Sequence, residues 1–114
     1  MKRLLLIEED TDVREMVAFT LENNGFEVIK AGKATTVDDI VKLNPHVVII
    51  DPSVKQLCTN LKANDRTNPV PVIIYSASLN ADKVINNCGA DGVVTKPSEL
   101  GDLVYLASRL AYKN

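Results

Sequence analysis

The stretch Pro45-His46-Val47-Val48-Ile49-Ile50-Asp51 decides how the rest of the chain is read. Four consecutive β-branched residues offer no polar side to solvent. They suit a strand buried on both faces, as in a parallel sheet with helices above and below. The run stops abruptly at a carboxylate. Asn44 precedes Pro45, and the residue before a proline avoids the helical region, so a helix arriving from the N-terminal side ends there. The expected unit is a helix, a short connection, a buried strand and an acidic group at the strand's carboxyl end.

The same unit recurs in both directions from this stretch. Arg3-Leu4-Leu5-Leu6-Ile7 is an apolar run followed at once by Glu8-Glu9-Asp10. Phe26 to Ala31 reads as a short second strand, Val72-Ile73-Ile74-Tyr75 as a fourth ending at Ser76, and Gly92-Val93-Val94-Thr95 as a fifth ending at Lys96-Pro97. Between them, apolar residues fall at helical spacing. Val13, Met16, Val17 and Leu21 predict a first helix, capped by Thr11 or Asp10 and stopped at Asn24-Gly25. Val37, Ile40, Val41 and Leu43 predict a second, capped by Thr35 or Thr36. A third covers Gln56 to Ala63 with Leu57, Cys58 and Leu61 inward, after a loop that begins at Pro52. A fourth covers Asn80 to Cys88, and a last one, capped by Ser98, carries Leu100, Leu103, Val104, Ala107, Leu110 and Ala111 on one face. Strands alternating with helices mean right-handed βαβ units. The expected fold is α/β: a doubly wound, five-stranded parallel sheet of flavodoxin-like order 2-1-3-4-5 with five helices, residues 1–114 forming one domain. Ligands of such sheets bind at the carboxyl ends of the strands, where strands 1 and 3 meet.

Composition narrows the function. With 46% apolar residues, 25% charged residues and a net charge of −2, the chain has a core and a soluble surface but no run of Lys or Arg. Nucleic-acid binding by this domain is not expected, because phosphate contacts need a basic face. No apolar stretch is long enough to span a bilayer. The apolar run after Met1-Lys2-Arg3 is cut off by Glu8, too early for a signal peptide, so a cytoplasmic protein is expected. Cys58 and Cys88 match no CxxC pattern and are expected as buried or half-buried free thiols.

The strand ends, read together, place Glu8, Glu9, Asp10, Asp51, Ser76 and Lys96 on one rim. Close carboxylates repel one another or recruit a cation. A hard ion such as Mg²⁺ suits one or two carboxylates, a backbone carbonyl, waters and a phosphate. A carboxylate can also act as a nucleophile and form an acyl phosphate. The rim therefore supplies parts for phosphorylation of Asp51, with Lys96 and the Ser76 hydroxyl available to other phosphoryl oxygens.

These motifs carry a family resemblance. The acidic Glu8-Glu9-Asp10 after an apolar strand, the Val-Val-Ile-Ile-Asp51 run, Pro71-Val-Ile-Ile-Tyr-Ser76-Ala77 and Gly89-Ala90-Asp91-Gly92-Val-Val-Thr-Lys96-Pro97 stand in order and at spacings that resemble the receiver domain of two-component response regulators. The resemblance covers essentially the whole chain. It implies that Asp51 is the phosphoacceptor, that Glu8, Glu9, Asp51 and the backbone carbonyl of Ser53 surround Mg²⁺, and that Ser76 and Lys96 contact the phosphoryl group. It implies a histidine kinase or phosphotransfer protein as donor. It also implies an output domain or partner at the face made by the fourth helix, fifth strand and last helix. The chain departs from the family pattern in several places. Glu9 stands where Asp is usual, Pro52 directly follows the acceptor, the usual Met-Pro-Gly-like stretch is missing and the connection after Asp51 is short, Val93 replaces the usual aromatic switch residue, and Ser98 replaces the common Phe after Lys-Pro. A receiver-fold interaction module that is not phosphorylated is the alternative reading. An aspartyl phosphatase is a third, and the chain lacks the Asp-x-Asp arrangement such enzymes use.

Overall fold

The computed structural model describes residues 1–32, 34–76, 88–95 and 100–112. Strands β1 (Lys2–Ile7), β2 (Phe26–Ala31), β3 (Val47–Ile50), β4 (Val72–Ser76) and β5 (Gly92–Thr95) form one sheet. All neighbours are parallel and the order is β2-β1-β3-β4-β5, as expected for the doubly wound, flavodoxin-like arrangement. Helices α1 (Thr11–Asn23), α2 (Val37–Leu43), α3 (Lys55–Ala63) and α4 (Leu100–Ala111) are present among the described residues. The helix expected over Asn80 to Cys88 lies outside them except for Cys88, as do Ser98 and Lys96.

The strands are apolar throughout because each face of the sheet has its own core. Leu4, Leu6, Val47, Ile49, Ile73 and Tyr75 face α1 and α4, against Val17, Leu21, Leu103 and Ala107. Leu5, Ile7, Val48, Ile50, Val72 and Ile74 face α2 and α3, against Ile40, Leu57, Cys58 and Leu61. All four residues of β3 are at most 1% exposed, which makes it the strand with least tolerance for a polar residue. Gly92 lets α4 lie close on β5: a Cβ added there would come within 2.7 Å of Leu106 Cδ2.

The helix ends resolve two choices left open by the sequence. Asp10 is the N-cap of α1, its Oδ1 accepting from the N–H of Asp12 and Val13. Thr36 caps α2 in a capping box: Asp39 N–H donates to Thr36 Oγ1 at 3.1 Å and Thr36 N–H to Asp39 Oδ2 at 3.0 Å. The Thr36 hydrogen bonds hold the Asp39 carboxyl below its ordinary range. The stabilisation from this box is therefore present above the unfolded carboxyl pKa and is lost as pH falls through the lowered one. At the other end of α1, Gly25 takes φ 91°, a left-handed value open to glycine without strain.

Two expectations are corrected. Met16 was expected inward, yet it is 50% exposed and Ala18 is buried in its stead. At about 100° per residue, Met16 lies well off the stripe centred on Val17 and Leu21, and Ala18 lies nearer to it. The connection after Asp51 was expected as a loop reaching to Gln56. It is instead a 3₁₀ turn, Pro52–Val54, running directly into α3 at Lys55. Pro52 sits at the start of that turn, where its fixed φ suits a helical entry and its missing N–H has no partner to lose.

A clasp not foreseen from the sequence closes the lower end of the sheet. Lys62 Nζ pairs with Asp91 Oδ2 at 2.6 Å and donates to the Val70 carbonyl at 2.7 Å. The same Asp91 Oδ2 accepts from Val72 N–H at 2.8 Å, and Asp91 N–H returns a bond to the Val72 carbonyl. Asp91→Ala strands a largely buried lysine and a backbone donor at the start of β4. A loss of roughly 1–3 kcal/mol is expected, read as a lower urea midpoint with unchanged slope.

Cys58 and Cys88 are neighbours in space. Both are buried free thiols, and Cys58 Sγ donates to the Cys88 carbonyl at 3.4 Å. Burial, and then the hydrogen bond with the Cys88 thiol, push the Cys58 thiol well above its ordinary range. The thiolate is the reactive form. Both thiols are buried, so neither cysteine is expected to react with a thiol reagent until denaturant is added; rapid labelling of the native chain would contradict this packing.

Candidate functional site

Strand alternation builds the site. Ile7 is opposite Ile50 in the β1–β3 register, and Ile50 is opposite Ile74 in the β3–β4 register. One step further along each strand come Glu8, Asp51 and Tyr75, and the Asp51 N–H donates to the Ile7 carbonyl at 2.9 Å. The period of two sends all three to the α1 and α4 face. They line one gap, too narrow for water, whose floor is Leu6, Val17 and Ile49. Tyr75 is therefore part of the site's base, 4% exposed.

The three consecutive acids do different work. Asp10 is spent on capping α1. Glu8 turns inward and is only 4% exposed, with Oε2 accepting from the Glu9 N–H at 3.2 Å. A buried carboxylate is tolerated only when it is hydrogen-bonded or paired. Glu9 faces outward and is exposed. Arg14, in the first turns of α1, donates from Nη1 to the Glu8 carbonyl at 3.2 Å and so ties the helix to the end of β1.

Asp51 is half-buried and serves as the N-cap of the 3₁₀ turn, with Oδ1 accepting from the Ser53 N–H at 2.9 Å. Ser53 also donates from Oγ to Glu9 Oε2, a longer contact of 3.4 Å. One exposed serine thus touches both the expected acceptor and the outer acid. The Ser53 carbonyl, expected as a metal ligand, belongs to the 3₁₀ turn Pro52–Val54.

Among the described residues, no group of three or more His, Cys, Asp or Glu side chains stands close enough together to hold a metal ion alone. Mg²⁺ does not need one. It is commonly held by one or two carboxylates, with waters and a phosphate completing its shell. Glu9 and Asp51, both touched by Ser53, offer hard oxygen donors that fit that chemistry.

The other expected residues are placed in part. Ser76 ends β4 opposite Thr95 of β5. Lys96 follows Thr95 and lies outside the described residues. Val93 is half-buried and packs on the α2 and α3 core, on the opposite face from Tyr75.

The sequence pattern described as the response regulator receiver domain matches residues 4–108. The chain belongs to this receiver domain family. Over 111 residues it is 30% identical to the phosphate regulon transcriptional regulatory protein PhoB of Escherichia coli, an alignment covering 90% of this chain and 48% of that protein. The chain thus spans about half the length of the curated relatives it matches. Among solved structures, a response regulator from Chloroflexus aurantiacus superposes with TM-score 0.84 at 24% identity, covering 96% of this receiver and 97% of that chain. The receiver domain of the sensor histidine kinase PA1611 of Pseudomonas aeruginosa superposes with TM-score 0.78 at 16% identity, covering 97% and 98%. That structure holds a magnesium ion in its active-site cleft. The fold expected for a receiver is the fold observed, and phosphorelay signalling and magnesium binding are typical of the family. No helix among the described residues of this receiver is long and apolar enough to cross a membrane.

Proposed function

We propose that this receiver accepts a phosphoryl group on Asp51 from a phosphohistidine of a partner histidine kinase or phosphotransfer protein. The observation that carries the reading is the position of Asp51: half-buried, at the junction of β1 and β3, beside the buried Glu8. A carboxylate oxygen of Asp51 forms an O–P bond as the donor's N–P bond breaks, and the electron pair returns to the imidazole nitrogen. The protein's share of such a transfer is positioning and charge neutralisation. Glu9 and Asp51 would hold Mg²⁺, with Glu8 beneath them, and the ion when bound neutralises phosphoryl oxygens. Ser76 and Lys96 are proposed as the remaining phosphoryl contacts. Phosphorylation then shifts an equilibrium at the face formed by β5, α4 and the segment before β5, where an output domain or partner protein would bind. Val93 offers no aromatic ring to that switch. The domain is proposed to work in the cytoplasm.

Acetyl phosphate with Mg²⁺ tests this. Intact-mass measurement is expected to show one phosphoryl adduct on the wild type that does not form when the metal is chelated beforehand. No adduct would reject the reading.

A second reading, a receiver-fold interaction module that is not phosphorylated, is favoured by one observation. Asp51 Oδ1 already caps the turn, and Pro52 withholds an N–H from the site. It is the reading that survives a negative adduct experiment.

A further inference from the structure

Asp51 also holds up a helix. Its Oδ1 accepts from the Ser53 N–H at 2.9 Å, and its backbone carbonyl accepts from the Val54 N–H at 3.0 Å. The 3₁₀ turn fixed in this way runs directly into α3. The N-cap position of α3 is Val54, which has no side-chain oxygen to offer. The entry to α3 therefore depends on the carboxylate one turn upstream.

The body and far end of α3 grip the segment that leads into β5. Cys58 and Lys62 are one helical turn apart on the same face. Cys58 Sγ donates to the Cys88 carbonyl at 3.4 Å, and Lys62 Nζ pairs with Asp91 Oδ2 at 2.6 Å. The other two N–H groups of Lys62 have the Val70 carbonyl at 2.7 Å and the Asn68 carbonyl at 3.2 Å, so the ammonium is fully engaged. Gly89, at φ 79°, lies against the lysine stem, where an added Cβ would stand 3.5 Å from Lys62 Cγ. Asp91 immediately precedes β5, and at Gly92 that strand lies close under Leu106 of α4. A chain of short contacts thus runs from the acceptor through α3 to β5 and α4.

Phosphorylation would act on the first link. A hydrogen bond to a carboxylate is about twice as strong as one to a neutral oxygen. In an acyl phosphate the oxygen facing Ser53 is a neutral carbonyl or ester oxygen, so the cap weakens. We infer that α3 carries the state of Asp51 to β5, through the Asp51 cap at its entry and the Lys62–Asp91 clasp at its far end. The inference takes its trigger from the proposed phosphorylation, whereas the link itself belongs to the unmodified chain.

Amide hydrogen exchange on the whole chain tests the link, first without any phosphodonor. Asp51→Ala removes the side-chain cap and is expected to speed exchange about threefold or more at residues 54–58 and again at 91–95. β2, at the far edge of the sheet, is expected to exchange as in the wild type. Asp91→Asn keeps an acceptor for the Val72 N–H but removes the charge from the clasp, and Lys62→Met breaks the clasp from the helix side. In either background Asp51→Ala should still speed 54–58 and should leave 91–95 unchanged. The inference is overturned if Asp51→Ala affects 54–58 alone, if β2 speeds up equally, or if 91–95 responds equally with and without the clasp. Acetyl phosphate with Mg²⁺, compared with Mg²⁺ alone, is then expected to reproduce the wild-type pattern at 54–58 and 91–95. An adduct that leaves both stretches unchanged overturns the inference while the phosphorylation reading stands. No adduct sinks the phosphorylation reading, and the link then stands or falls on the variants.

Discussion

Asp51→Asn is expected to abolish phosphoryl labelling of this receiver while leaving the fold intact. The amide removes the nucleophilic carboxylate, so the covalent route closes and incorporation falls on the order of a hundredfold or more. The side-chain carbonyl oxygen of Asn can still accept from the Ser53 N–H that now donates to Asp51 Oδ1, so the 3₁₀ turn keeps its cap. Asp51→Ala separates the two roles. It should lose the label equally and also lose the cap, costing about 1 kcal/mol of stability. Matched adduct measurements and urea melts on the two variants decide the matter. If Asp51→Asn still accepts a phosphoryl group at the wild-type level, the acceptor lies elsewhere.

The largest loss of stability is expected from Ile50→Ala. Ile50 is fully buried, pairs with Ile7 and Ile74 on either side, and packs on the α2 and α3 core. Emptying that position costs about 2–5 kcal/mol, through lost burial and the cavity left behind. Domains of this kind are stable by only about 5–15 kcal/mol, so one substitution removes a large share. It also loosens the strand that delivers Asp51, and labelling should fall with it. Phe19→Ser is the control, because Phe19 is 67% exposed on α1 and its loss should change stability by less than about 0.5 kcal/mol. Similar denaturation midpoints for the two variants would contradict the placement of β3 at the centre of the sheet.

The sheet was readable in the sequence because its strands are buried on both faces. Val47 to Ile50 and Leu4 to Ile7 are then apolar without interruption, and a carboxylate after such a run marks the strand end. What could not be read depended on contacts between segments distant in sequence. Cys58 and Cys88 touch only because α3 and the turn before β5 meet on one face. Lys62 and Asp91 form their clasp for the same reason. The turn after Asp51 was hidden differently. Pro52 has two local meanings, a stiff loop residue or the first residue of a helical turn, and the choice was made by the Asp51 side chain capping Ser53. The place of Tyr75 beside Glu8 and Asp51 appears only once the sheet is assembled. Within the site, the positions of Glu8, Glu9 and Asp51 followed from the strand ends, whereas the inward and outward division of the two glutamates required the structure.

Locating the acyl phosphate tests the central claim most directly. The chain is treated with acetyl phosphate and Mg²⁺, the product is reduced with borohydride, and its peptides are sequenced by mass spectrometry. An aspartyl phosphate is reduced to homoserine, which marks the residue that carried it. The account predicts that mark at Asp51 and at no other carboxylate, absent when Mg²⁺ is chelated. Homoserine at Asp10, the one-carbon-longer alcohol of a reduced glutamyl phosphate at Glu8 or Glu9, or no mark in a wild-type chain shown to be folded, would contradict it.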